Sequence, residues 1–170
     1  MHRLAWQVPL TAALAVLAWF AIGPVVATIP ALYVAAVAPE LSRTDLAEHR
    51  LPNRLVVPGL VIGLLAAAGS WLTTGVPPLV PLVAAVAYAG VLFLFALGGG
   101  MGMGDVKLAA VLGLASPTYV IAIASPLLAF LLGGVGALVV LVVRGRGTRI
   151  PFGPFLLAGY VGALVVEVVP

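Results

Sequence analysis

From Leu55 to Gly104 the chain carries no charged residue, and a stretch of that length leaves few choices of solvent. It contains two apolar runs, Leu55–Thr73 and Leu79–Leu97, with Val76-Pro77-Pro78 as the turn between them. Each run is near the ~20 residues a helix needs to cross a bilayer, and proline ends a helix by removing a backbone donor. The same pattern occupies the rest of the chain. The run Leu4–Ala38 is too long for one crossing and is broken at Gly23-Pro24. A short helix is expected from Asp105 to Ala115, ended by Ser116-Pro117, then a long run Tyr119–Val143 and a last one Phe152–Val168. Of the 170 residues, 64% are hydrophobic and 8% charged, against about 25% charged in soluble domains. A water-soluble fold of this size could not hide that much apolar surface. The expected fold class is an all-α polytopic transmembrane helix bundle, with about seven spanning helices (a range of six to eight), forming a single integral membrane domain over residues 1–170.

The charges that remain give the bundle a direction. With the N-terminus in the cytoplasm and one crossing per helix, Arg3, then Arg43, Arg50 and Arg54, then Lys107, then Arg144, Arg146 and Arg149 all fall on one face, as the positive-inside rule requires. The connections near Gly23, Gly75 and Pro117 are uncharged and fall on the other. The net charge of +3 is therefore read as orientation and headgroup contact, with lipid as partner and no nucleic acid. The start Met1-His2-Arg3 is read as a retained anchor in preference to a cleaved signal. The chain has no cysteine, and His2 and His49 lie far apart, so no metal site and no cofactor are expected.

Ionisable groups near a bilayer core are costly and are functional candidates by default. The acidic residues are Glu40, Asp45, Glu48, Asp105 and Glu167. Two crossings separate Asp45 from Asp105, which returns the chain to the same face. Asp45 is expected just after one helix, and Asp105 at the start of another, where Asp makes a good N-cap. Two carboxylates brought together share a proton, because close like charges do not both ionise. The ionised one can take a proton from water, and the protonated one can give a proton to the scissile peptide. Gly102 and Gly104 would shape the site by allowing a substrate strand to approach closely.

The string Gly102-Met103-Gly104-Asp105-Val106-Lys107-Leu108 resembles the second catalytic motif of the type IV prepilin peptidases. Asp45 followed by Leu51-Pro52-Asn53 resembles the first, and Pro151-Phe152-Gly153-Pro154-Phe155 is similar to a string that opens a late helix in that family. The three occur in family order over roughly residues 25–170. The resemblance implies a membrane-embedded aspartic endopeptidase that removes the leader of prepilins or pseudopilins at the cytoplasmic face of the inner (plasma) membrane, with Asp45 and Asp105 as the catalytic pair and Pro52 and Asn53 beside them. Longer members carry a cysteine insert that binds zinc, and they also N-methylate the new N-terminus. This chain looks like the short form, with the peptidase activity alone.

Other residues admit plainer readings. Glu40 and Glu48 could receive the basic leader of a substrate, though such residues more often balance neighbouring arginines. Pro52-Asn53 could simply start a helix, and Lys107 could snorkel to the interface. Gly133, Gly134 and Gly136 would allow close helix packing. The non-enzymatic alternative is a pilus or secretion assembly factor or a small transporter. A transporter, however, would place charges or broken helices near the midplane and often contain repeats. Presenilin-like proteases share the Gly-x-Gly-Asp string, but their first Asp follows Tyr, whereas Asp45 follows Thr44.

Overall fold

The structure, a computed structural model, describes residues 7–145 and 150–169, without the side chain of residue 144. The readings placed on Arg3, Arg144, Arg146 and Arg149 fall on side chains outside that description. The described residues form seven α-helices and no strand. They are α1 (Gln7–Ile22), α2 (Ile29–Glu48), α3 (Asn53–Thr74), α4 (Leu79–Leu97), α5 (Met103–Leu114), α6 (Tyr119–Arg144) and α7 (Gly153–Val168), with a 3-10 turn at Val26–Thr28. The apolar run at the start does divide, and Gly23, at φ 86°, makes the break.

The chain is an integral membrane helix bundle. Asn53–Thr74, Leu79–Leu97 and Tyr119–Val143 are each long and apolar enough to cross a bilayer. The burial pattern is that of a lipid-solvated protein: Leu72 is 87% exposed and Val142 78%, while alanines such as Ala31, Ala109, Ala115, Ala129 and Ala163 fill the interior. Lipid tails are as apolar as leucine, so helices associate by close backbone approach at small residues. A Cβ on Gly113 would lie 2.3 Å from the backbone N of Ala85, and one on Gly159 2.5 Å from that of Ala129. These two glycines set the α4–α5 and α6–α7 spacings. Gly133 and Gly136 do the same against Phe152 and Phe155, whereas Gly134 faces open space.

Helix breaks in such a bundle leave carbonyls without donors, and buried ones must find partners. Two phenols supply them. Pro126 lies inside α6 and has no N–H to give to Ala122; the Tyr88 hydroxyl donates to the Ala122 carbonyl at 2.5 Å. Tyr160, fully buried, donates to the Ala115 carbonyl at the end of α5 at 2.6 Å. A third phenol, Tyr33, donates to the Leu55 carbonyl at 2.6 Å and ties α2 to α3. At the opposite end of the bundle from the glycine-rich turn, Thr118 caps α6, accepting from the Ile121 N–H and donating to Glu167 of α7 at 2.9 Å.

Helix α5 is the centre of the assembly. Its twelve residues pack against α2, α3, α4 and α7, and seven of them, from Val106 to Leu114, are buried. At ~18 Å it is shorter than a full crossing. The buried stretch after it, through Ser116, completes the path at that end, and exposed glycines at 98–100 lead into it at the other.

Candidate active site

One end of α5 opens into a cleft of about 460 Å³. Its lining brings together the end of α2 (Thr44, Asp45, Glu48, His49), the connector Arg50-Leu51-Pro52, Asn53 at the head of α3, and residues 102–105 and 107 at the head of α5. The two aspartates, Pro52, Asn53, Gly102, Gly104 and Glu48 therefore share one cavity. Glu40 lies apart from it. Its carboxylate accepts from the Arg43 guanidinium at 2.6 and 2.9 Å and from the Gln7 amide at 3.2 Å, and the Arg43 pairing holds it down at about 2.

Asp45 does not follow the end of its helix. Helix α2 continues to Glu48, and Asp45 sits in its last turn, beyond the apolar part of the helix. Within the polar stretch the helix is supported by Arg43 pairing back to Glu40, and the Thr44 hydroxyl is satisfied on the Glu40 carbonyl at 2.7 Å. His49 then closes it in the left-handed conformation at φ 50°, its N–H on the Asp45 carbonyl at 2.9 Å. Asp45 is only 4% exposed. Its carboxylate accepts the backbone N–H of Gly153 at 2.9 Å. Burial pushes its pKa up, and the Gly153 N–H and nearby His49 pull the other way.

Asp105 is the third residue of α5, not its cap; Gly102 occupies the cap position and no side chain bonds there. It lies directly behind the exposed glycine turn. Its Oδ1 is buried without a hydrogen-bond partner. Burial first, and then the charge of Asp45, push its pKa up to about 6, against a smaller opposing pull from the Gly102 backbone.

The groups around the pair fix its geometry. A Cβ on Gly104 would lie 3.1 Å from the Leu51 Cβ, and one on Gly153 2.8 Å from Asp45 Oδ2 and 3.2 Å from Leu51 Cδ2. Leu51 is thus wedged between α5 and α7. The Lys107 ammonium donates to Asn53 Oδ1 at 3.1 Å. Sequence reasoning noted Leu51 and Gly153 within motifs but gave them no role, since one acts by shape and the other through its backbone. Among the described residues, no group of three or more His, Cys, Asp or Glu side chains is placed to hold a metal ion.

Comparison with known proteins points to one family. The profile of the type IV leader peptidase family matches residues 32–142, a span that includes both cleft aspartates and stops short of Gly153. A prepilin leader peptidase/N-methyltransferase of Pseudomonas putida is 35% identical over 131 residues, covering 73% of this chain and 45% of that protein. The chain thus spans less than half the length of this curated relative. No solved structure matches.

Proposed function

The chain belongs to the type IV leader peptidase family, and from that premise we propose that it is a single-domain, membrane-embedded aspartic endopeptidase that cleaves the leader from prepilins or pseudopilins. The observation that supports this most directly is the shared cleft: Asp45 and Asp105, on helices that two crossings separate, line one cavity of about 460 Å³.

The reaction needs nothing beyond the pair and a water. One carboxylate takes a proton as the water oxygen attacks the scissile carbonyl carbon. The other carboxyl, protonated, donates to the amide nitrogen as the tetrahedral intermediate collapses and the C–N bond breaks. A peptide bond within a helix is shielded, so the substrate is cut in extended form, and the open glycine turn before Asp105 gives it an approach. The positive-inside rule supports a cleft at the cytoplasmic face of the inner membrane, since Arg50 and Lys107 line it and Arg54 follows Asn53 of its lining. Glu48, on the cleft wall, is the acidic residue available to a basic leader; Glu40 is engaged by Arg43.

The test is leader cleavage in liposomes containing the purified chain and a prepilin with a basic leader, followed by gel shift and N-terminal sequencing. Wild type is expected to cleave, and folded Asp45→Asn and Asp105→Asn are each expected to lose cleavage. Cleavage that persists in either variant removes that aspartate from the mechanism.

A further inference from the structure

The two carboxylates have different surroundings, and the difference comes from α7. Asp45 is held by a neutral donor that has no other purpose in the fold: the N–H of Gly153, one of the first-turn amides that a helix leaves unpaired. A backbone N–H can only donate, and its bond to an ionised oxygen is stronger than its bond to a neutral one. The first-turn position also places the positive end of the α7 dipole against Asp45. Asp105 is served on one side only, by the Gly102 backbone. Its Oδ1 is enclosed with no donor, and a buried unpaired carboxylate oxygen disfavours the charged form. Asp105 does occupy the first turn of its own helix, which favours an anion. Burial beside the Asp45 charge outweighs that effect.

We propose that the Gly153 N–H is the positioning group of the pair: it keeps Asp45 ionised as the carboxylate that takes the proton from water, and leaves Asp105 as the carboxyl that carries the proton to the leaving amine. The assignment of chemical roles rests on the aspartic-peptidase reading; the location of the proton does not.

Shape enforces the arrangement. Any side chain at 153 would press its Cβ to 2.8 Å from Asp45 Oδ2, pushing the carboxylate off its donor. The α7 start is in turn seated on α6, where Phe152 and Phe155 close over Gly133 and Gly136. The other charged or titratable groups lining the cleft are Glu48 and His49 of α2, Arg50 of the connector, and Lys107 of α5. The α3 residue there is uncharged Asn53, which holds the Lys107 ammonium. Helix α7 brings no titratable side chain to the cleft lining.

Infrared difference spectroscopy of the purified chain in nanodiscs, at about pH 5, reads the proton without a substrate. That pH lies above the ordinary carboxylate range. A protonated-carboxyl band is expected in wild type, lost in Asp105→Asn and retained in Asp45→Asn; the opposite pattern overturns the assignment. Gly153→Ala is expected to raise the pH at which the Asp45 carboxylate band titrates, and an unmoved titration overturns the role of Gly153. In cleavage assays, the acid limb of kcat/KM in Gly153→Ala is expected to move up by about one pH unit, a tenfold loss on that side. A loss uniform across pH would mean packing alone and would overturn the proposal. Gly162→Ala, which meets only the flexible end of Leu128 on α6, is the packing control and should leave the limb in place. If Gly153→Ala does not fold, the two aspartate variants still decide where the proton lies. A wild type that cleaves no prepilin would sink the peptidase reading and leave the spectra to decide the proton.

Discussion

Lys107 of α5 donates its ammonium to Oδ1 of Asn53, 54 residues earlier in the chain, at 3.1 Å. The bond joins the head of α3 to the head of α5 across the mouth of the cleft. It lies at an exposed rim, where a single hydrogen bond contributes about 1 kcal/mol at most. Lys107→Met keeps the stem and removes the donor. The expected outcome is a loss of stability of no more than about 1 kcal/mol, with a several-fold fall in cleavage as the two heads lose their register. Thermal unfolding and kcat/KM on the same preparation check it; unchanged cleavage would make the bond incidental.

Asp105→Asn separates stability from chemistry. In the fold, Asp105 titrates at about 6, above its ordinary value of 3.8. The folded state therefore binds the proton more tightly than the unfolded one. Stability from this group is present in full below pH ~4 and is lost as pH rises to ~6. The amide is neutral at every pH. Asp105→Asn should therefore abolish cleavage while raising stability near neutrality by an amount of order 1–3 kcal/mol, with no such gain near pH 4. A variant less stable than wild type at pH 7 would show that the carboxyl has a structural partner.

Two glycine positions should respond in opposite ways. Gly113→Ala would set a Cβ 2.3 Å from the Ala85 backbone N and 2.4 Å from its Cα. Backbone cannot yield as a side chain can, so α4 and α5 must separate, at a cost of about 1–3 kcal/mol or more. Gly134→Ala meets nothing within 4 Å and should be neutral, or stabilising by up to about 1 kcal/mol. Loss of monodisperse protein on heating, followed by size exclusion, measures both.

Tyr88→Phe should orphan the Ala122 carbonyl that Pro126 leaves without a donor, costing about 1–3 kcal/mol. The cost should depend on the proline. In a Pro126→Ala background the helix supplies its own N–H, and the same Tyr88→Phe change should cost markedly less. A double-mutant cycle on thermal unfolding reads the coupling; simple additivity would mean the phenol and the proline act separately.

Glu48 and Glu40 are near neighbours in sequence with different surroundings. Glu48→Gln removes the acidic residue on the cleft wall and should raise KM several-fold for a leader rich in Lys and Arg, with kcat little changed. Glu40→Gln should leave both constants unchanged, since that carboxylate is bonded to Arg43 and Gln7 away from the cleft. Equal effects would place the leader elsewhere.

Much of the bundle was legible because hydrophobic length and proline placement act locally. The breaks at Gly23-Pro24, Pro77-Pro78 and Ser116-Pro117 all fall between observed helices. The convergence of Asp45 and Asp105 was legible from counting crossings, and both line one cleft. The end of α2 was less readable: residues 40–48 are polar enough to look like a loop, yet they are helical, with Arg43 paired back to Glu40 along the helix. Asp105 matched an N-cap by type, yet the turn it occupies begins three residues earlier at Gly102. Gly153 was hidden in another way. Its contribution is a backbone N–H delivered across 108 residues, and no side chain advertises it.

That separation has a consequence for how the protein comes into being. At ~5–20 residues per second, roughly 5–20 s pass between translation of Asp45 and translation of its donor. Through the last 48 residues of that interval both aspartates are already in the nascent chain, while the helix that fixes one of them is still unmade. Catalytic competence is therefore a late product of synthesis, coinciding with insertion of α7 and not with completion of the motifs that carry the carboxylates.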